Sequence, residues 1–321
     1  MHLNNLRIGI ALGSGSSRGW AHIGILRALA DMGIHPDIVC GCSVGSVVGA
    51  AYAAGNLDAL ENWLLSLTRL ELIRFFELNM ALNGFVRHDR FQQFLSMHVC
   101  EESIQIHQLN KKFATVATDL RNGREIWFTE GVVQDAIWAS IALPGLFPPY
   151  RHKDQWLVDG GLVNPVPVSL CRALGADVVI AVNLNGNMAR RYAGHVSKLK
   201  PEIVIAAPES LPAKKPDNLV TSLAASIREY SSTWLPDVGK EKPEELTAPG
   251  LMEAVAASIN IMQDKITRSR MAGDPPEILL NPRLEHIGLL EFFRAEEAIA
   301  EGRKTVERLQ AEITDVLNPF S

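Results

Sequence analysis

One stretch limits what this chain can fold into more than any other. The apolar run Asp37-Ile38-Val39-Cys40 breaks into Gly41-Cys42-Ser43-Val44-Gly45. It then passes at once into the small-residue helix pattern Val44-Gly45-Ser46-Val47-Val48-Gly49-Ala50-Ala51-Tyr52-Ala53-Ala54. A strand that turns straight into a helix, with a serine at the apex and glycine two residues to either side, has the form of a nucleophile elbow. The spacing has a steric reason: side chains at Gly41 or Gly45 would collide where strand and helix cross. It also puts Ser43 at a helix N-terminus, where free amides and the helix dipole favour negative charge. An ordinary βα turn with a capping serine satisfies the same pattern.

The preceding segment repeats the logic. Arg7 to Leu12 reads as a buried strand, followed by Gly13-Ser14-Gly15-Ser16-Ser17-Arg18-Gly19 and a helix with Trp20, Ile23, Leu26 and Ala30 on one face. The opening is therefore β-loop-α-β-elbow-α, the start of a parallel sheet covered by helices. The loop does not suit a dinucleotide. Its spacing is G-x-G-x-x-x-G, and the second strand ends in Gly-Cys-Ser rather than in an acid that could hold a ribose. It suits an anion, held by main-chain amides beside the elbow at the C-terminal ends of adjacent strands. Arg18 reads either as part of that loop or as a surface or salt-bridging side chain.

Further along, Phe113 to Thr129 reads as a hairpin turning on Asn122-Gly123. Helices are expected over about 132–142, from Pro165 to Gly175 and over 251–270, and strands over 156–159, 176–182 and 277–280. The run 67–98 is rich in large apolar side chains without clean period, and reads as packing helices, or as an acyl-chain pocket or a membrane-facing rim. Prolines punctuate 185–250, read as a variable insertion with one or two helices, or a lid. One long closing helix is expected at about 290–317, with Phe292, Ala295, Ile299, Gly302, Val306, Leu309, Ile313 and Val316 on a single stripe that covers the core or pairs with a partner. No repeat or linker interrupts residues 1–321, so a single domain is expected.

Composition excludes several classes. With 31 basic against 36 acidic residues and no basic stripe, nucleic acid is not an expected partner. The four cysteines at this length do not make a disulfide framework, and Cys40-x-Cys42 lacks a second ligand pair, so no metal is expected. The N-terminus lacks a signal-peptide pattern, and no apolar run approaches the roughly 20 residues that span a bilayer. A cytoplasmic protein is expected, with peripheral contact at the inner face of the membrane open.

A serine hydroxyl needs a base. Asp159 closes an apolar strand and is followed by Gly160-Gly161, which lets the chain turn and expose the carboxylate; a structural Asp-Gly turn reads the same way. Asp119 in the hairpin is a rival. His286 could complete a serine-acid-histidine order, but it sits in the charged stretch Arg283-Leu284-Glu285-His286. His22 reads as a packed or capping histidine.

Four blocks carry a family likeness. Gly13 to Gly24, Gly41-Cys42-Ser43-Val44-Gly45, Ala139 to Pro149 and Asp159-Gly160-Gly161 together resemble the patatin-like phospholipases, most closely the small bacterial members similar to the patatin domain of neuropathy target esterase. The resemblance implies a three-layer helix-sheet-helix fold with a mainly parallel sheet. It implies a Ser43–Asp159 dyad without histidine, an oxyanion hole from the amides of Gly13, Ser14, Gly15 and Ser16, and supporting roles for Arg18, Gly19, Gly41, Gly45, Gly160 and Gly161. It further implies hydrolysis of phospholipid or lysophospholipid esters with no cofactor. Ser14 and Ser16 replace glycines common in the family's loop, which is tolerable where φ is negative. A regulatory or scaffold protein that binds an acyl ligand with little turnover would keep the same blocks.

Overall fold

A computed structural model describes residues 6–68, 70–71, 88–186 and 251–317. Most of the apolar run 67–98 and nearly all of the insertion 185–250 lie outside the described residues. By its contacts the chain forms two units, residues 1–192 with 260–321, and 193–259. Of the second unit, only the first residues of the helix that starts at Leu251 are described.

Four segments form strands because they are apolar on both faces. β1 (Ile8–Leu12), β2 (Ile38–Cys42) and β7 (Val178–Val182) are buried throughout, and β3 (Lys112–Asp119) is buried except at its first residue. Double-sided burial is the mark of a parallel sheet with helices on each face. The sheet has eight strands, in the order β5-β6-β3-β2-β1-β7-β8, with β4 (Glu125–Phe128) also paired to β3. β1, β2, β3, β7 and β8 (Ile278–Leu280) run parallel, whereas β4, β5 (Tyr150–His152) and β6 (Gln155–Asp159) make the antiparallel pairings.

Strand alternation sorts the core into two layers. Ile10, Leu12, Val39, Phe113, Ile180 and Val182 face a large cluster with α1 (Ala21–Asp31), α2 (Val44–Ala54), α5 (Val133–Ile141) and α8 (Ala295–Arg308). Ala11, Cys40, Ala114, Val179 and Ala181 face a smaller one with α6 (Val168–Ala173) and Met271 of α7 (Leu251–Gly273). The three-layer α/β expectation therefore holds. α3 (Leu57–Ser66) and α4 (His88–His98) complete the first layer, and the described part of the apolar run packs as a helix. Phe91 is buried against Phe94, Trp138 and Phe147, with ring centroids 5.0–5.4 Å apart. All four cysteines are buried and free.

α1 and α8 cross at two glycines. A Cβ on Gly24 would lie 1.9 Å from the Ile299 carbonyl oxygen, and one on Gly302 would lie 2.1 Å from that of Ala21. Backbone cannot retreat as a flexible side chain does. Gly24→Ala should therefore cost about 3 kcal/mol or more, read as a lower urea midpoint at unchanged m-value.

Three elements differ from the sequence expectation. The closing helix is two helices, α8 and α9 (Gln310–Leu317), broken at Leu309 (φ −110°, ψ 13°), although the apolar stripe runs on through Ile313 and Leu317. α6 begins at Val168 rather than at Pro165, because Pro165 uses its carbonyl to hold another loop. The β3–β4 turn is longer than two residues: Asp119 N–H donates to Arg124 O, closing a four-residue loop with Gly123 at φ 69°.

Candidate active site

The register of β3 decides what lies beside Ser43. Along β3, Cys42 of β2 sits opposite Val116 and Asp159 of β6 sits opposite Ala117. β4 pairs with residues 115–118 and so takes the other edge of β3. β2 and β6 therefore share one edge and run toward each other, ending at consecutive rungs. Ser43 and Asp159 are 116 residues apart in the chain, yet Ser43 Oγ donates to Asp159 Oδ2 at 2.5 Å.

The elbow is built as the glycine pattern requires. Ser43 has φ 55° and ψ −126°, a strained conformation for a residue with a side chain. A Cβ at Gly41 would lie 2.4 Å from Gly45 O, and one at Gly45 would lie 2.1 Å from Leu12 O. Gly19 admits Val44, whose methyl groups would lie 2.3 Å from an added Cβ, and Gly160 admits the Val116 carbonyl at 2.2 Å. Ser43 N–H donates to Ser140 Oγ at 2.9 Å, and its carbonyl accepts from Ser46 Oγ at 2.6 Å. Ser140 lies inside one of the family-like blocks, yet nothing in the sequence around it marks it as a hydrogen-bond partner of the elbow.

Asp159 is fully buried, and its second oxygen, Oδ1, accepts from Gly161 N–H at 2.7 Å. Burial pushes the carboxyl up to about 6, against the opposing pull of the hydrogen bonds from Ser43 and Gly161. Ser43 itself is only partly buried, so the nucleophile can be reached from outside while its acid partner cannot.

Side chains fix the orientation of the Gly13–Ser16 loop. In a planar trans peptide the C=O and the following N–H point in opposite directions, so a carbonyl that is tied down aims the next amide. Gly13 O accepts from His22 Nε2 at 2.8 Å, which fixes the Nε2–H tautomer; burial lowers that imidazole to about 4 and keeps it neutral. Gly15 O accepts from Arg18 N–H and from Arg18 Nε, turning the Ser16 amide away from Arg18. Arg18 is fully buried and donates through Nη2 to Asn260 Oδ1 at 2.7 Å, so the surface reading of this residue does not hold. Ser14 Oγ donates to Gln263 Oε1, which also accepts from Asn185 Nδ2, both at 3.0 Å. Gln263 also closes on the other loop, because a Cβ on Gly161 would lie 2.4 Å from its Nε2.

The four loop amides are not equivalent. Gly13 N–H donates to Val182 O at 3.1 Å and Ser14 N–H to Pro165 O at 2.8 Å. Among the described residues, Gly15 N–H and Ser16 N–H have no partner. Two of the four expected oxyanion donors are thus already engaged. Ser16 has φ 51°, so the condition of negative φ fails at that residue and a serine holds a conformation better suited to glycine.

The rival residues have other partners. Asp119 accepts from Arg121 N–H, Asn122 Nδ2 and Gln155 Nε2 and organises its own hairpin. His286 is about half exposed and lies 2.6 Å from Glu297 Oε1. Among the described residues no cluster of three potential metal ligands occurs, and no helix is long and apolar enough to cross a membrane.

Residues 10–172 match the sequence profile of the patatin-like phospholipases. An NTE family protein of Mycobacterium tuberculosis, itself named as uncharacterised, is 32% identical over 92% of this chain and 89% of its own length. The lysophospholipase NTE1 of Pyricularia oryzae is 27% identical over 92% of this chain, which corresponds to 18% of that much longer protein. Its namesake in Yarrowia lipolytica is 33% identical over 57% of this chain and 13% of its own length. The patatin fold and this family profile define a lipid esterase. The chain belongs to the patatin-like phospholipase family.

Proposed function

We propose that the chain is a serine acyl-hydrolase acting on phospholipid or lysophospholipid esters through a Ser43–Asp159 dyad. The observation that carries this reading is the 2.5 Å contact from Ser43 Oγ to Asp159 Oδ2, with no imidazole between them. Asp159 accepts the hydroxyl proton as Oγ attacks the ester carbonyl carbon. The resulting oxyanion meets the unpartnered amides of Gly15 and Ser16, which are fixed before the substrate arrives. The proton passes to the departing alcohol, leaving an acyl group on Ser43. Water, activated by the same carboxylate, then releases the fatty acid and restores the hydroxyl. A free carboxylate near pKa 4 is a weak base for this; a group at about 6 is stronger and still largely ionised at pH 7. The name borne by the fungal relatives supports a lysolipid among the substrates.

The test is a fluorophosphonate probe combined with a panel of lipid and p-nitrophenyl esters. The expected result is one modified peptide, containing Ser43, with ester turnover lost in step with labelling. Modification at another serine, or turnover that continues once Ser43 is blocked, would overturn the assignment.

A further inference from the structure

Two hairpins extend beyond the nucleophile at the same end of the sheet. β3 runs parallel to β2 and passes it: Cys42 is opposite Val116, and Leu120 lies four residues further on, about 13 Å at 3.3 Å per residue. The β3–β4 loop therefore projects past the elbow. The β5–β6 turn projects the same way, since β6 runs antiparallel to β3 and begins above it.

The register also places the apolar side chains on one face. Trp127 is opposite Val116 and Val158 is opposite Thr118. Trp156 and Leu120, each two residues from the Val158–Thr118 pair, share the face of Trp127, and Arg151 opposite Trp156 joins them. These apolar side chains are open to solvent: Leu120 53%, Trp127 44% and Trp156 52% exposed. Around them stand Arg121, Arg124, Arg151 and Lys153, all exposed and, among the described residues, without an ion-pair partner. Among the described residues the nearby acids offset them only in part: Asp119 and Asp154 stand against the four cations, and Glu125 is held by Arg270. In a chain of net charge −5 this end is locally basic.

Lys153 adds an independent sign. It occupies the two-residue β5–β6 turn at φ 53°, a conformation that glycine adopts without strain. The turn thus holds a cation where the backbone favours glycine.

We propose that the Leu120–Trp127–Trp156 face, with Arg121, Arg124, Arg151 and Lys153, docks on an anionic phospholipid bilayer and presents the Ser43 end of the sheet to it. The inference deepens the reading of the site as a lipid ester hydrolase. Exposed indole and leucine side chains enter the interfacial layer, while arginine and lysine meet the lipid phosphates. Each basic residue near such a surface contributes about a fivefold gain in binding.

The test is co-sedimentation with phosphatidylcholine–phosphatidylglycerol vesicles and with phosphatidylcholine vesicles alone. Wild type should pellet with the anionic vesicles, less so at high salt. Trp127→Ala with Trp156→Ala should weaken pelleting tenfold or more, with its thermal unfolding followed alongside. Lys153→Gly should weaken it about fivefold while unfolding at a higher temperature, an outcome that damage to the fold cannot produce. Ser43→Ala should pellet like wild type, so docking and chemistry fail separately. The proposal is overturned if wild type stays in the supernatant, pellets equally with neutral vesicles, or if Lys153→Gly and the double tryptophan variant both pellet as wild type.

Discussion

Asp159→Asn should lower kcat for ester hydrolysis by on the order of 10³-fold and, at the same time, make the folded protein more stable above neutral pH. The amide keeps the shape of the carboxylate and can still accept from Gly161 N–H, but it cannot take the Ser43 proton. The stability change follows from proton linkage. In the folded chain Asp159 holds its proton up to about pH 6, because burial penalises the anion; in the unfolded chain it releases it near 3.8. The group's favourable contribution is complete below 3.8 and is lost as the pH rises through 6. Two pKa units correspond to about 3 kcal/mol. At pH 8 the variant should recover part of that, while near pH 4 the two proteins should converge. Urea melts at both pH values measure the difference, and a variant less stable than wild type at pH 8 would refute the argument. For wild type, kcat/KM should rise through about pH 6 to a plateau, with no step from His22, which stays neutral down to about 4.

The second large effect concerns Ser43. Ser43→Ala and Ser43→Gly should both abolish fluorophosphonate labelling and reduce turnover by on the order of 10³-fold or more. They should differ in stability. Alanine keeps the Cβ in the φ 55°, ψ −126° conformation, whereas glycine relieves it. The glycine variant should therefore be about 1 kcal/mol more stable than the alanine variant, after allowing for the greater freedom of an unfolded glycine. Equal stability would mean that the elbow carries no backbone strain at this residue.

The local parts of the site were legible from the sequence because each is fixed by neighbours in the chain. The elbow needs glycine at 41 and 45 within one strand-turn-helix unit, and the Gly13–Gly19 loop follows directly on a buried strand. The contact between Ser43 and Asp159 was not legible from the residues themselves. It depends on which rung of β3 each strand reaches, a property of a sheet assembled from segments more than a hundred residues apart. The family-like blocks pointed to the pair, but only the register places the two side chains within hydrogen-bonding reach. Gln263, Asn260 and Asn185 carried no signal, since polar residues on a helix or at a strand end read as solvated until something packs over them. The division of labour among the loop amides was equally hidden, because it turns on the carbonyls of Val182 and Pro165. The break at Leu309 went unseen because the apolar stripe continues across it.

The head-to-head meeting of β2 and β6 makes β3 a ruler for the reacting pair. Gaining or losing a single residue between Val116 and Ala117 would open a gap or force an overlap, and would carry Asp159 to the opposite side of the sheet. Changes of length in this protein should therefore be tolerated in the turns and excluded from that strand. A circular permutation or graft that leaves β3 whole, together with the β2 elbow and the end of β6, carries the geometry of the pair with it.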